Sequence, residues 1–228
     1  FLDDWALPEA LALVADREGQ LFKYQNKGDW SGPDELSGKL WMKWDARHLY
    51  LAAKVRDAGE SIADTPGWLW AGDSIEMLIA PEGGRDSDSK FTQIALGRVK
   101  DGEAAAMRYQ GAGSSGPLAS AQINVRRVGG GYVYEVAVPW SDLTGNAKFA
   151  PRPGHAITTV FGFNDKDAGT RMISWFDRVT YKDPTRFGQV VLSEPLEAEK
   201  LEAQPENLLR NGDFDDPALP PAEDLSNW

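Results

Sequence analysis

Short stretches in which apolar and polar residues alternate, each closed by a turn signal, recur along this sequence. That pattern constrains the fold more than any other feature. In Leu40-Trp41-Met42-Lys43-Trp44, residues 40, 42 and 44 share one side, because successive side chains of a strand point to opposite faces. Asp45-Ala46-Arg47-His48 reads as a tight turn and Leu49 to Val55 as the returning strand, a hairpin. Ser74 to Ile79 puts Ile75, Met77 and Ile79 on the core side and Ser74, Glu76 and Leu78 on the other. Phe91 to Leu96, Ala104 to Tyr109 and Ala121 to Arg127 follow. Tyr132 to Val138 lies between Gly129-Gly130-Gly131 and Pro139, and Ala156 to Asn164, Met172 to Phe176 and Gly188 to Leu192 bring the set to about ten strands. No long amphipathic helix separates them, which argues against crossover α/β folds. The expectation is an all-β, antiparallel two-sheet β-sandwich of immunoglobulin-like, jelly-roll type. Ala10 to Ala15 reads equally as a short helix or an edge strand.

With 228 residues there is room for one good-sized domain and a fragment. The 24 basic and 35 acidic residues leave a net charge of −11. A domain this acidic, with no basic stripe, repels a phosphate backbone, so nucleic acid is not expected as a partner. No apolar run approaches the ~20 residues of a membrane helix, so a membrane is not expected either. Cysteine is absent, which removes disulfides, thiol catalysis and cysteine-ligated metal. The sequence starts at Phe1 and is expected to be a mature product or an excised piece, so a missing leader says nothing against secretion. Residues 1–193 are assigned to the sandwich. Residues 194–206, with five Glu and two Pro, read as an acidic linker that buries too little apolar surface to fold alone. Residues 207–228 read as the first segment of a following, truncated module.

Tryptophan is abundant, with nine residues against six Tyr and nine Phe. Two of them, Trp68 and Trp70, fall in a Pro66-Gly67-led loop ahead of the strand at Ser74. An exposed indole has a flat apolar face comparable to the C–H face of a pyranose ring. Stacking the two contributes roughly 0.5–1.5 kcal/mol by analogy with aromatic pairs, and Glu76 then accepts hydrogen bonds from sugar hydroxyls. The alternative is an indole folded back as a lid on the sandwich end. Trp175 reads as core; Tyr181, in the polar loop after it, either faces Trp70 across a cleft or packs on its own loop. Asp57, Asp73, Asp165, Asp167 and Asp177 fall near strand ends, as calcium ligands or as solvated turns, without EF-hand spacing. No carboxylate pair is tied together by context in the way glycoside hydrolysis needs, so catalysis is not expected. No Ser-His-Asp elbow, P-loop or dinucleotide fingerprint is present.

Taken in order, these segments resemble a family 9 carbohydrate-binding module from about Leu36 to Leu192. Trp44-Asp45 with Leu49-Tyr50-Leu51 and Val55-x-Asp57 is similar to its first hairpin, and Trp70-x-x-Asp73-Ser74-Ile75-Glu76 to its W-x-x-D-S-V/I-E signature. Tyr132-x-x-Glu135-Val136-Ala137-Val138-Pro139-Trp140 resembles its Y-x-x-E strand. Gly162-Phe163-Asn164-Asp165 and Lys182-Asp183-Pro184-x-x-Phe187-Gly188 resemble its last strands. Asn207-Leu208-Leu209-x-Asn211-Gly212-Asp213-Phe214 is similar to the opening of a jelly-roll carbohydrate-binding module.

The resemblance implies a DOMON-like β-sandwich, structural calcium, and a sugar held between two aromatic rings. Trp70 matches the first ring and Tyr181 falls where the second, a Trp in the family, would be. Glu76 matches the family's sugar-binding Glu. Where the family uses an Arg, the outward position is Gln93, and Arg178 offers a replacement cation. The expected sugar contacts are therefore Trp68, Trp70, Glu76, Gln93, Arg178 and Tyr181. The expected role is non-catalytic binding of an oligosaccharide or polysaccharide within a larger secreted or periplasmic polysaccharide-processing protein, whose other domains are its partners. Two alternatives share the fold. One is a haem b electron-transfer domain using His48 or His155 with Met42, Met77, Met107 or Met172; the other is a structural spacer that has lost the sugar site.

Overall fold

Tight turns between short strands impose antiparallel pairing, and the computed structural model, which describes residues 7–23, 30–166, 171–177, 179 and 182–193, is antiparallel in every strand pair. Among the described residues the strands are Leu13–Ala15 (β1), Leu21–Lys23 (β2), Leu36–Trp44 (β3), His48–Asp57 (β4), Ser74–Ala80 (β5), Thr92–Arg98 (β6) and Ala104–Gln110 (β7). They continue with Gly116–Pro117 (β8), Gln122–Val128 (β9), Gly131–Pro139 (β10), Ala156–Asp165 (β11), Arg171–Trp175 (β12) and Gly188–Val191 (β13). Pro139 closes β10, and a five-residue helix, Trp140–Thr144 (α1), follows. Among the described residues no helix is long and apolar enough to cross a membrane.

Five strands form one sheet in the order β1-β3-β4-β10-β9; the other runs β2-β12-β11-β5-β6-β7-β8, with β13 also on β11. The two layers bury the alternating residues between them. Leu40, Leu51, Ala53, Tyr134, Val136 and Val138 meet Ile75, Met77, Ile79, Ile94, Phe161 and Phe163. Each such aliphatic or aromatic side chain contributes about 1.5–3 kcal/mol on burial. The sheets pack closely at Gly38, where a Cβ would stand 2.3 Å from the Phe163 ring. The β3–β4 turn is held by Asp45, whose Oδ1 accepts the Arg47 and His48 N–H groups at 2.6 Å and whose Oδ2 accepts the Tyr50 hydroxyl.

Three strands go beyond the alternation, and one begins earlier than it indicates. β2 and β8 are three and two residues long, too short to show a period, and β3 begins at Leu36. The ambiguous stretch at Ala10–Ala15 is both things in turn: a 3-10 turn at Glu9–Leu11, then edge strand β1. Both outer faces are partly covered. Over the five-stranded sheet Trp41, Tyr50, Ala52 and Ala137 pack with Leu7 and Ala12. Over the eight-stranded sheet one apolar cluster holds Leu78, Val160, Met172, Val179 and Phe187, and another Ala63, Leu69, Ala95 and Val99. The expected linker and second module, residues 194–206 and 207–228, lie outside the described residues.

Candidate functional site

Residues 66–71 form two 3-10 turns joined by a kink at Trp68 (φ −112°, ψ 17°); Pro66, whose fixed φ suits a first helical position, starts the first. Within each 3-10 turn consecutive side chains are about a third of a turn apart. Leu69 is fully buried in the cluster with Ala95 and Val99, so its neighbours on either side turn outward. Trp68 and Trp70 are 55% and 45% exposed, with ring centroids 5.2 Å apart and planes tilted by 37°. Neither indole folds back as a lid; the leucine between them does. Beyond the helix the chain runs hard against residues 61–63. A Cβ on Gly72 would stand 2.5 Å from the Ala63 nitrogen, and the Asp73 N–H donates to the Ser61 carbonyl at 2.7 Å. The Ser74 hydroxyl bonds the Leu69 and Gly72 carbonyls, which ties the helix to the start of β5.

β5 is central, and all seven of its residues are buried. Ile75, Met77 and Ile79 enter the core as expected, and Glu76 points the other way, onto the face below the tryptophan helix. It is nevertheless only 7% exposed. Directly opposite it on β6 is Ala95, and Gln93 lies diagonally across. The Gln93 Nε2 donates to Glu76 Oε1 at 2.6 Å. From the other side Asn164 of β11 donates to Ser74 Oγ at 3.2 Å, with its amide close enough to Glu76 to favour the charged carboxylate. Burial pushes the Glu76 carboxyl above its ordinary pKa; the Gln93 hydrogen bond, the Asn164 amide and the Lys182 and Lys166 ammonium groups pull the other way without cancelling it. Burial likewise lowers the pKa of Lys166, against the charges of Glu76, Asp165 and Asp73.

On the third side stands Tyr109. The β6–β7 register slips between Gln93 and Ile94: Gln93 pairs with Gln110 and Ile94 with Arg108, which leaves Tyr109 as the extra residue of a bulge. Its phenol oxygen accepts the Trp70 N–H at 3.3 Å. Burial, with the Glu76 charge adding to it, pushes its pKa up to about 12. The neighbouring Gln110 accepts from Lys182 Nζ at 3.3 Å. Of the six expected contacts, the structure brings Glu76 and Gln93 into direct contact and sets Trp68 and Trp70 on one helix beside them; Arg178 and Tyr181 lie outside the described residues. Sequence reasoning missed Tyr109, Asn164, Lys166 and Lys182 as neighbours of Glu76. Phe176, 59% exposed with φ +74°, is a further outward aromatic it did not single out.

The aspartates near strand ends are used by protein donors. Asp73 accepts from Ser61 N, Lys166 N and the Tyr132 hydroxyl. Asp165 pairs with buried Arg171, Asp177 with Arg186, and Asp57 accepts from Gly59 N. Asp167 lies outside the described residues. Among the described residues no three acidic or histidine side chains are grouped as for a metal ion. His155 Nε2 is 2.6 Å from the Pro81 carbonyl oxygen, and its ring meets Phe149 edge-on. His48 packs by Tyr50 and Asp45. Met77 and Met172 are closed within apolar clusters, with Met42 and Met107 packed against others.

The family model described as carbohydrate family 9 binding domain-like matches residues 15–195. Among curated proteins the chain is similar to endo-1,4-beta-xylanase A of Thermotoga maritima, 28% identical over 170 residues, which is 68% of this chain and 14% of that enzyme's length. Two solved structures of a family 9 carbohydrate-binding module from Caldicellulosiruptor kristjanssonii share the fold. The complex with glucose has a TM-score of 0.57 at 16% identity, covering 85% of this chain and 92% of that one. The complex with cellotriose has a TM-score of 0.55 at 18% identity, covering 82% and 84%.

Proposed function

The chain belongs to the carbohydrate family 9 binding domain-like family, and from that premise we propose that it is a non-catalytic module that binds an oligosaccharide or polysaccharide at the Trp68–Trp70 helix and the Glu76–Gln93 floor beside it. One observation carries the reading: two indole faces are held in solvent by a buried leucine, next to a carboxylate–amide pair withdrawn from water. A pyranose ring presents complementary surfaces, with C–H faces for the indoles and hydroxyls for Glu76 and Gln93. Sugars offer little apolar area and many hydroxyls to desolvate, so affinity is modest. The glucose and cellotriose bound by the structural neighbours favour a glucan-type oligosaccharide as the first ligand to try.

The module's role is to hold a larger polysaccharide-processing protein on its polymer, outside the cytoplasm in a secreted or periplasmic setting, with the other domains of the same chain as partners. The resemblance offers Arg178 and Tyr181 as a further polar contact and second ring. Structural calcium is carried by the resemblance alone. A rise of several degrees in Tm when calcium replaces a chelator supports it, and an unchanged Tm removes it.

The test is calorimetric titration of cellotriose, with soluble xylan and β-glucan in parallel. Trp70→Ala is expected to weaken binding tenfold or more while the far-ultraviolet spectrum and Tm stay as in the wild type. A wild type that binds no glycan leaves the structural-spacer reading, and a Soret band in the purified protein would restore the haem reading.

A further inference from the structure

We propose that Tyr109 is a ligand-reading residue of this site: its phenol oxygen anchors the tryptophan helix with its lone pairs while its O–H donates to an oxygen of the bound saccharide. The proposal rests on the sugar-binding reading and specifies one of its polar contacts. The bulge supplies the placement. Bulges re-aim a side chain out of the regular ladder, and here Tyr109 packs against the cluster of Ala63, Leu69, Ala95 and Val99. Ala95 is the direct cross-strand partner of Glu76, so the ring stands on the same face of the sheet as the carboxylate.

A phenol has one hydrogen to give and can also accept. Here the oxygen accepts the Trp70 N–H, and among the described residues nothing accepts its hydrogen.

The floor carries the matching deficit. Gln93 is 5% exposed. Its Nε2 is committed to Glu76, and its Oε1 is buried with no hydrogen-bond donor. A buried acceptor left without a donor destabilises the unliganded site. Glu76 and Gln93 therefore present acceptors and Tyr109 a donor. A saccharide hydroxyl, which donates and accepts at once, satisfies both: it gives its hydrogen to the floor and takes one from Tyr109. The class of ligand is a neutral pyranose with a free hydroxyl, read by a phenol that also holds the Trp70 backbone N–H.

Tyr109→Phe keeps the ring and its packing and removes the hydroxyl, which is both the donor offered to the saccharide and the acceptor of the Trp70 backbone N–H. Calorimetric titration with cellotriose is expected to show a three- to tenfold loss of affinity, with at most a small fall in Tm from the lost bond to the Trp70 backbone. A structural role alone would not pass the second readout, a cycle with the monodeoxy analogues of cellotriose. One analogue should lose affinity with the wild type and show no further loss with Tyr109→Phe. Wild-type affinity in Tyr109→Phe, or an equal further loss with every analogue, overturns the proposal while leaving sugar binding in place. Absence of any saccharide binding by the wild type, or binding that Trp70→Ala leaves intact, overturns the sugar-binding reading and the inference with it.

Discussion

Trp41 and Trp70 both sit on the outer surface of a sheet, Trp41 in β3 of the five-stranded layer and Trp70 over the eight-stranded one. Trp41 is sealed under Leu7 and Ala12, and its indole N–H donates to the Pro8 carbonyl. Trp70 stands in solvent beside Trp68, and neither indole N–H has a partner among the described residues. Residue type and sheet face do not separate the two; the local backbone does. A strand commits its side chain to whatever crosses that face, and here the N-terminal segment crosses it. A 3-10 turn with one buried leucine splays the residues on either side away from the fold. Trp140, wholly buried with its N–H on the Asp45 carbonyl, is bound in the same manner as Trp41.

The comparison breaks most visibly under truncation. Trp41→Ala is expected to cost about 3–5 kcal/mol, a fall in Tm of roughly 6–20 °C, with the affinity of the folded fraction unchanged. Thermal denaturation read beside the cellotriose titration of Trp70→Ala checks this. If the two variants lose stability equally, Trp70 is a lid and not a platform. Leu69→Ala comes next, at about 2–5 kcal/mol, and it should move both readouts, because the leucine pins the helix that presents the rings. Lost stability with intact cellotriose affinity would show that the rings keep their places without it.

Much of this was legible in the sequence. The alternation through Ile75, Met77 and Ile79 specifies the inner face of β5, because one face of a sheet must meet the other layer. Asp45 and Pro139 mark a turn and a strand end through local hydrogen bonding and a missing donor. What was not legible depends on residues distant in sequence. Glu76 reads as an outward residue, and nothing within a few positions of it reveals that Gln93, Asn164 and the 66–71 helix close over it. The Tyr109 bulge is a slip between two strands, and neither strand records it alone. Trp68 and Trp70 could be read as loop residues from Pro66-Gly67; that Leu69 decides their direction follows only once the cluster around Ala95 exists.

The smallest effect tests the other half of the comparison, the floor under the exposed rings. Burial raises the Glu76 pKa above the ordinary carboxylate range, so the folded state favours the neutral carboxyl. A group shifted upward contributes its stability fully below its unfolded pKa and loses it as pH rises through the folded value. Glu76→Gln removes that titration and keeps an oxygen to accept from Gln93. Its Tm should therefore match the wild type near pH 4 and exceed it at pH 7, by about 2 °C or less in a fold of this size. Affinity should move the opposite way. A carboxylate accepts a stronger hydrogen bond than an amide, so the variant binds cellotriose more weakly at pH 7, and the gap narrows as the wild-type carboxyl takes up its proton. A variant that is both less stable and no weaker at pH 7 would mean that Glu76 is held in place as a charge for the fold, and that the sugar takes its hydrogen bonds elsewhere.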